Sequence, residues 1–149
     1  MKTSIQINLP IEKAFELFMD KNNFKNWKKE FVSFEQISGS SDEIGSVTKL
    51  VYTKFTMFET IVSKNSPSEY VATYEYKRGA KTQMFHKAVN TFTLLDANKT
   101  SIVVNSEIIK VNGIFLNLMM KLMAGAGRKY SQEQLDKFKV FAESRSGKD

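Results

Sequence analysis

Between Phe31 and Lys110 the chain divides into short segments with the two-residue period of a β-strand, and a long stretch of helical period follows them. No other feature constrains the fold as strongly, because a strand shows alternate side chains to opposite faces whereas a helix returns to one face every 3.6 residues. The breaks are Ser38-Gly39-Ser40-Ser41-Asp42, Lys64-Asn65-Ser66-Pro67-Ser68, Lys77-Arg78-Gly79-Ala80 and Asp96-Ala97-Asn98-Lys99, all built from turn-forming residues. A further turn has to fall near Lys54 to Thr56, where the turn signal is poor. The segments so defined are strands at 31–38, 45–53, 57–64, 70–77, 82–95 and 100–110. Connections of hairpin length make their sheet antiparallel.

The flanks complete the plan. Ile5, Ile7 and Leu9 alternate with Ser4, Gln6 and Asn8, which is one more strand with a buried face. Pro10 suits the first position of a helix, and Ile11, Ala14, Phe15 and Phe18 then recur at helical spacing. Asp20 to Lys29, polar around Phe24 and Trp27, is expected to form a second short helix or turn. After Asn112-Gly113, everything from Ile114 to about Ser144 has a helical pattern. Its second half carries a narrow stripe of Leu135, Phe138, Phe141 and Ala142, suited to docking on a sheet. Its first half is apolar around most of its circumference, and Gly125 and Gly127 between the halves are places for a kink. The tail from Ser144 is expected to fray.

Composition excludes several chemistries. With no cysteine among 149 residues, disulfides, thiol catalysis, zinc–thiolate sites and iron–sulfur clusters are ruled out. The apolar fraction of 42% and charged fraction of 26% are those of a globular chain rather than a disordered one. The first residues lack the apolar run of a signal peptide, and the apolar stretch around Ile114 to Ala126 is broken by Asn117 and Lys121, too short to span a bilayer. A cytoplasmic protein without an integral membrane segment is expected. The net charge of +6 is scattered, with small clusters at Lys28-Lys29 and Arg128-Lys129 and no nucleic-acid-binding signature, so a solvated surface without a nucleic-acid partner is expected. One histidine and no H-E-x-x-H leave no His-rich metal site, and no P-loop, EF-hand loop or nucleophile elbow occurs. Neither a metal nor a cofactor is therefore expected.

The order of strand, two short helices, six strands and long helix resembles the START-like, birch-pollen-allergen-like superfamily (SRPBCC), which includes the polyketide cyclase/dehydrase and lipid-transport proteins. The residues that carry the resemblance are Ile7-Asn8-Leu9-Pro10-Ile11-Glu12-Lys13-Ala14-Phe15-Glu16-Leu17-Phe18 and Asn23-Phe24-Lys25-Asn26-Trp27. Ile44-Gly45-Ser46, Glu59-Thr60-Ile61 and the closing Gln134-Leu135-Asp136-Lys137-Phe138-Lys139 extend it over essentially the whole chain. The resemblance implies one START-like ligand-binding domain over 1–149 with the helix-grip fold, an α+β architecture. In it a seven-stranded curved antiparallel sheet wraps a long C-terminal helix and encloses a cavity for a lipid, sterol or aromatic polyketide. It does not settle function, because the superfamily hosts carriers, cyclases and co-chaperone domains.

Alternation assigns faces without reference to any family. Met84, His86, Ala88, Asn90, Phe92 and Leu94 share the more apolar side of their strand and are expected inside. Ala72, Tyr74 and Tyr76, and in another strand Leu50 and Tyr52, are expected inside by the same reasoning. In the strand at 57–64, Met57, Glu59 and Ile61 share one side, and Phe58, Thr60 and Val62 the other. Either side serves as the inner one, so Glu59 is an internal polar anchor in one reading and a solvated carboxylate in the other. His86, the only histidine, is either a ligand-directed base or donor, or an imidazole satisfied by a tyrosine hydroxyl or water. Three inward tyrosines with His86 and Asn90 describe a partly polar interior. Leaving such groups buried and unpaired costs on the order of 1–3 kcal/mol each, and a cavity with water or an amphipathic ligand meets that demand.

The expectation is a protein that binds an apolar or amphipathic small molecule. Tyr74, Tyr76, His86 and Asn90 would orient its polar end, with Tyr52 and Met57 on the same inner wall. Met84, Phe115, Met119, Leu122 and Met123 would line the apolar part and mouth, methionine being adaptable to varied shapes. Two alternatives remain: a cyclase or dehydratase in which His86 moves protons, and a co-chaperone-like module using the apolar surface of residues 114–123. That surface needs a cover, and a short helix, a membrane or a second copy in a homodimer would supply it.

Overall fold

The computed structural model describes residues 1–78, 80–111, 113 and 124–145. Seven antiparallel strands form one curved sheet: β1 (Lys2–Ile7), β2 (Phe31–Ser38), β3 (Val47–Tyr52), β4 (Thr56–Asn65), β5 (Glu69–Arg78), β6 (Lys81–Asp96) and β7 (Lys99–Val111). Their order is β1-β7-β6-β5-β4-β3-β2, so hairpins join neighbours all the way from β2 to β7. β1 and β2 consequently lie at opposite edges. The chain crosses between them through helix α1 (Ile11–Met19), a 3-10 turn (Lys21–Asn23) and helix α2 (Phe24–Trp27). A long helix, α3 (Ala124–Arg145), closes the concave side. This is the helix-grip arrangement, with strand limits within about two residues of those expected from alternation and turns. No helix among the described residues is long and apolar enough to cross a membrane.

Helix α3 docks through Leu135, Phe138 and Ala142, all buried, with Phe141 half-buried beside them. The opposite edge of the same helix treats β1 differently. As an edge strand, β1 has backbone groups with no strand to bond, and side chains of α3 supply partners for several of them. Gln132 Nε2 donates to the Ser4 carbonyl at 2.9 Å, Lys139 Nζ donates to the Gln6 carbonyl at 2.7 Å, and Glu143 accepts from the Asn8 N–H at 2.8 Å. The apolar stripe sets the depth of the helix and this polar row sets its register.

Two local differences from the sequence reading, at Pro10 and at Leu94, have physical causes. Pro10 sits one position earlier than expected, as the N-cap of α1 with ψ 151°, and its carbonyl accepts from Ala14 N at 3.0 Å. Leu94 is 53% exposed, because Thr93 to Asn98 form the exposed end of the β6–β7 hairpin, which none of the described helices covers. Between β3 and β4 the turn without Gly or Pro is held by aromatic contact: Phe55 stacks on Tyr52 at 4.5 Å, and Tyr52 N donates to the Phe55 carbonyl at 2.9 Å. At Gly39 the glycine is required, since φ is +73° and an added Cβ would lie 3.0 Å from Ser46 Cα.

Candidate functional site

The sheet register converts alternation into rungs that cross several strands. Thr48 pairs with Glu59, Glu59 with Tyr74 and Tyr74 with His86, so a polar rung runs across β3, β4, β5 and β6 on the inner face. Beside it runs an apolar rung of Leu50, Met57, Tyr76 and Met84. On the other side, Ile61, Ala72 and Ala88 form a rung of smaller side chains, and the pair Tyr70–Asn90 follows. Small residues in the middle of a concave wall leave space that the neighbouring large ones do not fill.

That space is a cavity of about 390 Å³ between the sheet, α2 and α3. Its wall includes Trp27, Tyr52, Phe55, Met57, Tyr70 and Tyr74, and it is completed by Met84, His86, Ala88, Asn90, Tyr130 and Leu135. The volume lies within the roughly 300–1,000 Å³ of ordinary ligand pockets. Of the residues proposed from sequence, Tyr52, Met57, Tyr74, Met84, His86 and Asn90 meet around it. Tyr76 does not border it; its ring packs against Phe55 at 6.1 Å. Phe115, Met119, Leu122 and Met123 lie outside the described residues.

Glu59 turns inward and is 3% exposed. Lys21, equally buried, reaches it at 3.0 Å and reaches Asp42 at 2.5 Å, tying the 3-10 turn to β4 and to the loop before β3. Burial acts to lower the Lys21 pKa, but Glu59 and Asp42 outweigh it and the ammonium is held above its usual range. Tyr74 faces Glu59 across the β4–β5 pair, and the carboxylate charge acts on its hydroxyl. Burial first, and the charge of Glu59 second, push the phenols of Tyr70 and Tyr74 well up; burial does the same to Tyr52. These hydroxyls stay neutral donors throughout the physiological range.

His86 lies flat on Tyr74, ring centroids 4.9 Å apart at 18°. Burial, and then the positive charge of Lys28, lower its pKa to about 4, so the imidazole is neutral at pH 7. Asn90 is buried and donates to the Tyr70 carbonyl at 3.4 Å.

Sequence reasoning missed Lys28 and Tyr70 in this wall. Tyr70 was legible, since it shares the parity of Ala72 and Tyr74 along β5. Lys28 was not, because a lysine beside Lys29 reads as solvated surface. Its backbone N–H closes α2 onto the Phe24 carbonyl at 2.8 Å, which directs the side chain over the Phe24 and Trp27 rings, at 4.3 and 4.9 Å from their centroids. The residue keeps partial contact with solvent, but protein surrounds the ammonium, and this desolvation lowers its pKa to about 8 despite the opposing pull of Glu59. Among the described residues no three His, Asp or Glu side chains gather as a metal ion would require.

A family model described as polyketide cyclase / dehydrase and lipid transport matches residues 1–143. Among solved structures, a conserved protein from Geobacillus kaustophilus superposes with a TM-score of 0.76 at 13% identity, covering 97% of this chain and 95% of that one. The Zhui aromatase/cyclase from a Streptomyces species gives 0.75 at 14% identity, over 98% and 94%. A START superfamily protein from Mycobacterium smegmatis gives 0.71 at 12% identity, over 97% of both chains. At these identities the likeness is one of fold. No curated protein matches the chain in sequence.

Proposed function

Because the chain belongs to the polyketide cyclase / dehydrase and lipid transport family, we propose that it binds an apolar or amphipathic small molecule, such as a lipid or an aromatic polyketide, between the sheet and α3. The observation that carries this reading is the 390 Å³ cavity, with aromatic and methionine walls and a few polar groups on one side. A solid core would fill such a space, since protein interiors pack as densely as organic crystals. Each 100 Å² of ligand surface withdrawn from water there contributes about 2.5 kcal/mol. Tyr74, His86 and Asn90 orient the polar end, while Tyr52, Met57 and Met84 contact the apolar body. A neutral imidazole with a pKa of about 4 is a weak base at pH 7, which favours an orienting role for His86 over proton transfer.

Native mass spectrometry of the purified protein, followed by organic extraction, tests the reading. The expected result is a near-stoichiometric lipid or aromatic compound, or stoichiometric uptake of the neutral dye N-phenyl-1-naphthylamine by ligand-free protein. Ala88→Leu, which narrows the cavity, should reduce that uptake strongly. A protein that is empty as isolated and takes up no dye would overturn it.

A further inference from the structure

Among the described residues the cavity has one lysine in its wall, Lys28, and it is treated unlike the buried Lys21. Lys21 has two carboxylates, at 3.0 and 2.5 Å. Lys28, among the described residues, has no carboxylate within 4 Å and no hydrogen-bond acceptor for its ammonium, only the faces of Phe24 and Trp27. Glu59, whose charge does reach it at longer range, is already engaged by Lys21. A lysine stem is long enough to carry its charge out to water, as most surface lysines do. Here the charge is instead held over two rings at the border of an apolar hollow, an arrangement that lacks an anion.

We propose that Lys28 is the anion anchor of the cavity, so that the ligand is an amphiphile with one negatively charged group, a carboxylate, sulfonate or enolate, paired to the Lys28 ammonium while its apolar body lies between Trp27 and Met84. The inference rests on the binding reading above and narrows its ligand class. Among the described residues, the groups that each element brings to the cavity suit it. From β5 and β3 the Tyr74 and Tyr52 hydroxyls are neutral, and from β6 the His86 imidazole is neutral; Lys21 stands behind, neutralised by its own carboxylates. Tyr130 of α3 is pushed up by burial. Glu107 of β7 also borders the cavity but is exposed, and water screens it. The amino group of Met1, a second cation at the rim, is occupied by the Ser106 carbonyl at 2.8 Å.

A matched pair of dyes separates charge from shape: 1-anilinonaphthalene-8-sulfonate is N-phenyl-1-naphthylamine with a sulfonate added. At pH 7 the anionic dye should bind the wild-type protein more tightly than the neutral one. Lys28→Met, or Lys28→Gln if the first fails to fold, should weaken the anionic dye by about 10-fold or more and leave the neutral dye within about 3-fold. Between pH 7 and 10 the wild-type preference for the anion should fall by about 10-fold as Lys28 loses its proton. The variant isolates any slope due to the amino terminus. Neutral-dye binding without an anion preference, or equal weakening of both dyes by the variant, would overturn the anchor and leave the cavity reading standing. Binding of neither dye would overturn both.

Discussion

Along the inner face of β6, two regions of one molecule solve opposite problems. Around Phe92 the space between sheet and helices is filled. Phe15, Phe18 and Phe92 meet edge to face at 5.1 and 5.4 Å, and Phe138 of α3 closes on Phe18 at 5.0 Å and on Trp27 at 5.1 Å. These rings carry no polar atoms of their own except the Trp27 indole, whose N–H is buried without an acceptor among the described residues. A few residues earlier, from Ala88 to Met84, the same strand faces a hollow, and its aromatic neighbours are tyrosines. The difference teaches how one sheet divides stability from binding. Close-packed phenylalanine rings complete the core, whereas the wall of the hollow mixes Phe55 and Trp27 with tyrosine, histidine and lysine, whose polar atoms border the space.

The sharpest test of this division is truncation at each end. Phe138→Ala should cost about 3–5 kcal/mol in urea denaturation, through lost burial plus a new cavity. Met57→Ala, in a wall that already faces empty space, should cost only about 1 kcal/mol. Comparable losses would mean that the hollow is packed in solution. Level with His86 on the inner face stands the ion pair of Lys21 and Glu59, with Asp42 half-buried beside it, and Lys21→Met should cost about 3–5 kcal/mol by leaving the buried Glu59 carboxylate unpaired. A loss below 1 kcal/mol there would show the pair to be solvated.

The next largest effect is one of pH. His86 titrates near 4 in the folded protein and near 6.5 when unfolded, so between those values the unfolded chain binds more protons. Its contribution is complete above about pH 6.5 and is lost as the pH falls toward 4, to a limit of about 3 kcal/mol. The stability difference between wild type and His86→Leu, measured at pH 7 and at pH 4.5, should change in that sense; a constant difference would place the imidazole in water. The smallest effect is also the one with the least expected sign. At pH 7 the folded protein holds the Lys28 ammonium in a poorly solvated position, so Lys28→Met should stabilise by about 1–2 kcal/mol after allowance for partial exposure. That gain should disappear as the pH rises from 8 to 10.5, where the lysine is neutral in any case. A destabilised variant at pH 7 would make Lys28 part of the packing.

Much of the fold was legible because its signals are local. Alternation placed Tyr74, His86 and Asn90 on one face, and turn residues marked four of the hairpin breaks. The Phe55 turn carried no such signal, since its stability comes from a ring stacked on Tyr52 rather than from Gly or Pro. Leu94 went the other way: its parity is that of Phe92, but parity says nothing of where the covering helices stop. The site was legible as a face and not as an environment. Tyr76 shares the face of Tyr74 and still falls outside the cavity wall, because Phe55 lies against it.

What the sequence determined by itself was the number of strands and their order along the chain, the inward faces of the strands holding Tyr52, Tyr74 and His86, and the stripe by which α3 docks. Each follows from the two-residue and 3.6-residue repeats of the backbone, which act over a few neighbouring positions. Only the tertiary structure decided that Glu59 turns inward to meet Lys21, thirty-eight positions earlier in the chain, and that Lys28 stands over two rings with no carboxylate of the described residues beside it. The charge on a side chain is governed by the solvent it loses and the partners it meets, and both are set by segments far away in sequence. The same lysine is a solvated surface group or a binding anchor according to what the rest of the chain packs around it.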